Sequence, residues 1–272
     1  MLDDVPSDIG AYFSGHTHED IFQLFWIYKN LEDFAAKGFK YLADEMDYRW
    51  QKKIDYILRS KGNSKDLTSL FDKRFYCPFS HAKVLQKAND LGIKILCVDD
   101  PKDSRNNSAS MTQSNEFMAA KILPLVEEGK VLCLNGSGHL YSAPRASYAK
   151  DSMQVLLQQK GFSTYALEIM HDVREMRSIR PLSAPVRETD ERAAREVCNL
   201  FYNNLEKVQR TKPVTINWHD YTPCAGITIP DKTILLSKKA QQWRSELHLL
   251  SNIRQEEKVW NAIESAYSPP VL

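Results

Sequence analysis

Short apolar segments alternate with longer amphipathic segments through the first two-thirds of the chain, and this alternation constrains the fold most strongly. The segment over residues 19–37 is the clearest helix, because its apolar side chains recur every three or four residues and form one stripe. The strands are predicted over residues 8–14, 39–44, 93–98, 130–135 and 162–170, and the other helices over about 47–60, 79–91, 112–128 and 145–161. This order predicts an α/β fold with a mostly parallel central sheet and helices on both faces.

The C-terminal third is less regular. Its charged stretch over residues 171–187 is predicted to be a loop, with the character of a lid or an insertion. Further elements are expected beyond it: helices over about 188–209 and 238–265, and strands near 214–218 and 226–237. Because no linker composition separates these parts, residues 1–272 are expected to form a single α/β domain.

Charge and composition exclude several classes of protein. The 36 basic and 35 acidic side chains leave a net charge of +1, which creates no field that would attract nucleic acid or a membrane surface. No apolar stretch is long enough to span a bilayer, and the acidic first ten residues do not resemble a signal peptide. Cys97 and Cys133 lie inside apolar runs, which is typical of buried thiols in a reducing compartment. The expected location is the cytoplasm or the interior of a host cell.

Polar and glycine residues follow four of the predicted strands. They are Gly15, His16 and His18 after the first strand, Glu45 after the second, Asp99 and Asp100 after the third, and Gly136, Ser137 and His139 after the fourth. Because parallel strands finish at the same edge of a sheet, these residues are expected to converge in one pocket. Histidine exchanges protons near neutral pH, and a neighbouring carboxylate orients the imidazole or binds a cation. A capping role remains open for Glu45 and for the two aspartates.

These motifs resemble a known superfamily. The matching positions are Gly15-x-x-His18, Glu45, Asn115-x-x-Met118-Ala119 and Gly136-x-x-His139. The pattern, over roughly residues 8–140, is similar to that of erythromycin esterases, ChaN-like haem-binding lipoproteins and TraB/Tiki proteins, together with related bacterial toxin and effector domains. Two positions depart from it, since His16 replaces a glutamate and Ser114 replaces an arginine.

The resemblance implies a pocket that hydrolyses an ester or amide, or binds a ligand. His18 would be the general base or a metal ligand, Glu45 its partner, and His139 a second acid or base. Arg105, in the polar loop before Ser114, would supply the missing guanidinium. The other strand-end residues would contact a small-molecule or peptide substrate. A divalent metal or haem is the cofactor that such relatives imply, and the protein would be a bacterial effector or toxin domain with a possible host protein as its partner.

Two other interpretations stay open at this point. One is a protein that keeps this fold with altered chemistry and binds haem, a metal or a host protein, which the serine at position 114 favours. The other is a metal-dependent hydrolase of the amidohydrolase or PHP type, in which His16 and His18 bind one metal and His139, His171 or His219 supplies a later ligand.

Overall fold

The computed structural model describes residues 5–16, 21–60, 64–71, 77–100, 108–140, 151–171, 232–236, 256–257 and 260–261. The strands within these ranges are β1 (Ala11–His16), β2 (Phe39–Asp47), β3 (Lys94–Asp99), β4 (Lys130–Gly136), β5 (Thr164–His171) and β6 (Lys232–Leu236). The α-helices are α1 (Ile21–Ala36), α2 (Gln51–Arg59), α3 (Ser64–Phe71), α4 (Pro78–Asp90), α5 (Ser108–Glu128) and α6 (Met153–Gln158). Two 3₁₀ turns, Tyr48–Trp50 and Ser137–Leu140, follow β2 and β4.

The strands form one sheet in the order β3-β2-β4-β1-β5-β6, and every neighbouring pair is parallel. The predicted parallel α/β fold is therefore confirmed for the part of the chain that the structure describes. The order places β2, β4 and β1 side by side in the middle of the sheet. The carboxyl ends of these three strands consequently lie next to one another at a single edge.

Alternating side chains of the central strands β1, β2 and β4 pack against helices on opposite faces of the sheet. Tyr12 and Leu42 belong to the core on the side of α1, α3 and α4, whereas Phe13 and Ala43 belong to the core on the side of α5 and α6. All four side chains are almost fully buried. Burial of a large apolar side chain contributes about 1.5–3 kcal/mol, so the two cores together hold β1 and β2 firmly from both faces.

Glycines end two of the helices where the sequence predicts. Gly38 follows α1 with a φ of +86°, and Gly92 follows α4 with a φ of +76°. Side chains with a Cβ atom rarely adopt this left-handed conformation, so glycine is the natural residue after a helix C-terminus. The chain then turns directly into β2 and β3, which are the two strands whose ends carry carboxylates of interest.

Several predicted boundaries are wrong. Strand β1 spans Ala11–His16 instead of residues 8–14, and α6 ends at Gln158 instead of residue 161, because residues 159–161 form a turn in which Gly161 has a φ of +88°. Strand β2 continues to Asp47 instead of ending at position 44, because its alternation of buried and less buried side chains persists through the polar residues. A separate helix, α3, occupies a segment whose lysine, asparagine and serine residues suggested only a polar connection. Helix α5 begins at Ser108, inside the predicted loop over residues 101–110, since the packed apolar side chains later in α5 stabilise the helix beyond its local propensity.

Several expectations concern residues outside those that the structure describes. These are most of the proposed lid over residues 171–187, the helix over 188–209, the strand near 214–218 and the beginning of the predicted 145–161 helix. Of the long helix expected over 238–265, only residues 256–257 and 260–261 are described. Among the described helices, none combines the length and apolar character that crossing a membrane requires.

Candidate active site

A histidine and a glutamate meet at the carboxyl edge of the sheet. Glu45 lies near the end of β2, and His139 lies in the 3₁₀ turn that follows the neighbouring strand β4. The imidazole Nε2 atom of His139 is 3.1 Å from the carboxylate Oε1 atom of Glu45. Both side chains are largely buried, with exposed fractions of 9% and 13%. Electrostatic interaction between them is therefore screened only weakly by solvent.

The Glu45 carboxylate is also held by the backbone of β4. The amide of Gly136 donates a hydrogen bond to its Oε2 atom, with an N···O distance of 2.5 Å. Each oxygen of the carboxylate therefore has its own fixed partner, one an imidazole and the other a backbone amide. This anchoring holds the carboxylate in one orientation, because both partners belong to the same strand end.

Asn115 fixes the orientation of the His139 ring. Its side-chain nitrogen donates to the backbone carbonyl of Asp151 at 2.8 Å, which leaves its Oδ1 atom facing the imidazole. The Nδ1 atom of His139 lies 2.5 Å from that oxygen and, because an amide oxygen can only accept, Nδ1 carries the proton and donates it. The opposite nitrogen, Nε2, is thereby directed at Glu45. Such a partner on the far nitrogen is what sets the tautomer of a functional histidine.

The charges around His139 favour its protonated form. Burial on its own lowers the pKa of the imidazole, but the negative charge of Glu45, the hydrogen bond to Glu45 and the charge of Asp99 together raise this pKa above its ordinary value. The imidazolium form of His139 is therefore favoured more strongly than it is in a free histidine. The two groups share one exchangeable proton across the Nε2···Oε1 contact.

Asp99, the last residue of β3, is a second carboxyl group in the same electrostatic environment. Burial and the charge of Glu45 raise the pKa of Asp99 to about 6, although His139 and a hydrogen bond from Ser114 act in the opposite direction. The Ser114 hydroxyl donates to Asp99 Oδ1 at 3.3 Å. Ser114 is the position at which the resemblance expects an arginine, so this chain places a neutral donor there. Asp99 is consequently close to half protonated at slightly acidic pH.

Asp99→Asn is expected to stabilise the protein above pH ~6 by about 1 kcal/mol, a figure reduced for partial solvent screening. The folded protein holds the Asp99 proton more tightly than the unfolded chain does, so ionisation costs stability as pH rises from about 4 to about 6. Asparagine keeps the oxygen that accepts from Ser114 and removes this cost. Urea unfolding between pH ~4 and ~7 measures it, with the exposed Asp8→Asn as control. A stability difference that is the same at every pH would contradict this prediction.

Some of the other predicted site residues lie at the same edge of the sheet as this pair, and others lie outside the described residues. Gly15 and His16 end β1 directly beside Asn135 and Gly136 of β4, which puts their backbone at the same edge of the sheet. Ser137 begins the turn that contains His139. Asp100 acts on the guanidinium of Arg49, whose pKa is raised first by its hydrogen bond to Asp47 and, more weakly, by the Asp100 charge. His18 and Arg105 lie outside the described residues, as does any distance between His18 and His139.

No protein-family model matches the sequence, and no curated protein matches it. Among solved structures, the chain is similar to the type III effector HopBA1, with 16% identity over 61% of this chain and 79% of that one and a TM-score of 0.46. It is also similar to RRSP, a MARTX toxin effector domain from Vibrio vulnificus, with 14% identity over 60% of this chain and 33% of that one and a TM-score of 0.45.

A third similar structure is the C-terminal region of Pasteurella multocida toxin, for which a thiol-protease-like catalytic triad is described. Identity is 18% over 59% of this chain and 22% of that one, with a TM-score of 0.47. Bacterial effector and toxin domains are thus among the solved structures that this chain resembles at low identity. In both toxin structures the match spans a third of the other chain or less. The narrower resemblance to erythromycin esterases and Tiki proteins stays a prediction.

The donor atoms of the described site do not suit a metal ion or haem iron. Both ring nitrogens of His139 already face oxygen partners, so neither offers a free lone pair unless the contact with Glu45 or Asn115 breaks. Within the described ranges, no group of three or more histidine, cysteine, aspartate or glutamate side chains is arranged to hold a metal. We therefore derive no step through a metal or haem. The candidate ligands His16 and His18 remain predictions.

Two features of the site escape analysis of the sequence. The first is the hydrogen bond through which Asn115 orients His139, because spacing alone places Asn115 only at a helix start. The second is a buried pair formed by Asp44 and His81, in which His81 Nε2 lies 2.6 Å from Asp44 Oδ2. A histidine and an aspartate in otherwise apolar segments are the only signal for that pair, since a buried charged group requires a partner.

Proposed function

We propose that this protein is a hydrolase that uses the Glu45–His139 pair for acid–base catalysis on an ester or an amide. One observation carries the proposal: a buried imidazole is bonded at Nδ1 to Asn115 and directed through Nε2 at a carboxylate 3.1 Å away. Catalytic acids and bases are held in this way, with the proton-exchanging atom aimed and the far nitrogen fixed. The raised pKa of His139 supports its role as the proton donor, since the imidazole holds its proton more tightly than a free histidine does.

The proposed reaction transfers one proton from water to Glu45 and one proton from His139 to the leaving group. The Glu45 carboxylate accepts a proton from a water molecule, and the resulting hydroxide adds to the carbonyl carbon of the substrate. The His139 imidazolium then gives its Nε2 proton to the leaving oxygen or nitrogen as the bond to the carbonyl carbon breaks. Transfer of the proton from Glu45 to Nε2 across their 3.1 Å contact restores the resting state. The net result is the addition of one water molecule across the ester or amide bond.

The neighbouring strand ends would complete the pocket. Gly15 and His16 end β1 beside Gly136, so the backbone there lies close to the anchored carboxylate. His18 follows two residues later in the sequence; the resemblance implies that it is the general base with Glu45 as its partner, and here it is proposed as a base that acts beside Glu45. Asp99, together with Asp100 and Ser137, is proposed to contact the substrate. Arg105 is proposed to stabilise the negative charge that develops on the carbonyl oxygen.

Glu45→Gln tests the proposal. The amide keeps an oxygen that can accept from Gly136 but cannot take a proton, so kcat/KM is expected to fall by about 10²-fold or more. Hydrolysis of a panel of p-nitrophenyl esters and acyl p-nitroanilides by the full chain measures the effect. Glu116→Gln, an exposed glutamate beside Asn115 on α5, is the matched control and should retain full activity. Equal rates for wild type and Glu45→Gln would overturn the assignment of Glu45.

The setting that we propose is that of a bacterial effector or toxin domain acting inside a host cell. The motif resemblance and the near-neutral charge support it, as do the free, buried thiols of Cys97 and Cys133, which suit a reducing compartment. The Glu45→Gln variant extends the same test into cells. Expression of the wild type in cultured host cells is expected to impair growth, whereas expression of the variant is not. Equal growth impairment by the two proteins would show that the toxicity does not depend on the proposed chemistry.

A further inference from the structure

Two consecutive carboxylates on β2 are each bonded to a histidine, on opposite faces of the sheet. Glu45 faces α5 and contacts His139, whereas Asp44 faces α4 and contacts His81. Asp44 and His81 are almost fully buried, with exposed fractions of 1% and 2%. Because the two carboxylates share one stretch of backbone, a shift of Asp44 also moves Glu45. The Asp44–His81 pair therefore holds the β2 backbone in place from the face of the sheet opposite the proposed catalytic carboxylate.

The helix that carries His81 is capped from a distant part of the chain. Cys77 precedes α4 with a φ of +56°, and among the residues that the structure describes its side chain is not the one that caps the helix. Instead, the backbone amides of Phe79 and Ser80 donate to the two carboxylate oxygens of Glu256, at 3.2 Å and 2.6 Å. A carboxylate at this position satisfies amides that would otherwise be unpaired, and it interacts favourably with the helix dipole.

Trp260 fixes the same C-terminal segment to the protein. Its fully buried indole packs edge-on against the rings of Phe25 and Tyr28 of α1, with centroids 5.0 Å and 5.1 Å away, and more distantly against Phe79 of α4. Glu256 and Trp260 thus contact the same helix layer that holds His81 against Asp44. Burial raises the pKa of Glu256, and its hydrogen bonds with Ser80 and Phe79 and, most weakly, the charge of His81 act in the opposite direction.

We propose that Glu256 is a positioning residue for Glu45. By capping α4, Glu256 holds His81 in place against Asp44, and this contact fixes the end of β2 at which Glu45 meets His139. The expected effect of Glu256 on catalysis rests on the proposed function, whereas its expected effect on the position of Glu45 does not. Glu256 contacts the backbone at the start of α4, so the connection to Glu45 runs through α4 and β2.

The test follows the titration of the His139 ring in the full chain by NMR, comparing wild type with Glu256→Ala. Glu45 raises the pKa of His139 whereas burial lowers it, so loosening Glu45 should lower the midpoint by about half a unit or more. Glu257→Ala, at the adjacent and less buried position, is the matched control and should leave the midpoint unchanged. For an ester substrate, kcat should fall by about tenfold while KM changes little.

A second variant keeps the test decisive if Glu256→Ala fails to fold. Glu256→Gln retains one oxygen that accepts from Ser80, so its midpoint should move by a smaller but measurable amount, about 0.2 unit. A folded Glu256 variant whose His139 midpoint equals that of the wild type would overturn the positioning role, whatever its stability. A shifted midpoint in a protein without hydrolytic activity would uphold the positioning role and overturn the proposed function, so the two failures are distinguishable.

Discussion

His139→Asn is expected to lower kcat/KM for an ester substrate by about 10²- to 10⁴-fold, which is the range that positioned acid–base groups contribute. Asparagine can still bond to Asn115 but cannot deliver a proton from the position of Nε2. The substitution leaves the Glu45 carboxylate with its Gly136 partner and without the imidazolium. The free energy of unfolding should therefore fall by about 1–3 kcal/mol, and the protein should remain folded.

His81→Asn is the matched control, since it removes the other buried imidazole bonded to a carboxylate of β2. The loss leaves the Asp44 carboxylate buried in the core without its imidazole. The free energy of unfolding should therefore fall by more than in His139→Asn, by about 3–5 kcal/mol. Activity should fall by at most about tenfold, because His81 acts only through the position of Glu45. Initial rates with p-nitrophenyl esters and urea unfolding curves measure the two effects. Equal losses of activity in both variants would show that His139 has no special chemical role.

Trp260→Ala is expected to reduce the free energy of unfolding by about 3–5 kcal/mol, the usual cost of removing a large aromatic side chain from a core. Trp260 is among the largest fully buried side chains of the described residues and contacts aromatic rings of both α1 and α4. Its loss opens a cavity between these helices and weakens the placement of Glu256. Urea unfolding followed by circular dichroism measures the change.

Trp260→Phe separates the contribution of ring packing to stability from the effect of the buried indole nitrogen. Among the residues that the structure describes, the buried Nε1 atom of Trp260 has no hydrogen-bond partner, so phenylalanine removes an unsatisfied donor while it fills part of the space. The expected cost is clearly smaller, about 1–2 kcal/mol. Tyr56→Ala, at a side chain that is 74% exposed, should change stability by less than about 0.5 kcal/mol. A Trp260→Ala variant as stable as Tyr56→Ala would show that the C-terminal segment does not support the core.

The fold could be predicted from the sequence because its signals are local. Strands of alternating or continuous apolar residues, a helix stripe, and glycines such as Gly38 each act within a few residues. The sequence misplaces the end of β2 because Glu45 and Asp47 look like loop residues, whereas the bond of Glu45 to β4 and the pairing of Asp47 with Asp99 of β3 keep both residues in the strand. Tertiary contacts override composition at that boundary.

The convergence of strand ends could be expected from topology, but the partner of each side chain could not. Parallel strands place Glu45 and His139 at one edge, yet nothing in the spacing shows that Asn115 faces the imidazole or that Ser114 bonds to Asp99. The cap of α4 by Glu256 is still less visible, since 176 residues separate Glu256 from Ser80. Contacts of such separation depend on the packed structure, which local periodicity does not encode.

The remote cap of α4 also has a consequence for synthesis of the chain. A ribosome releases the sheet strands β1 to β5 long before residues 256–260 leave its tunnel, so the nascent protein holds an incompletely capped α4 and an open aromatic pocket during that interval. Contacts of large sequence separation also form slowly. Final closure of the α1–α4 layer is thus timed by translation of residues 256–260, and chaperone protection would matter most just before it.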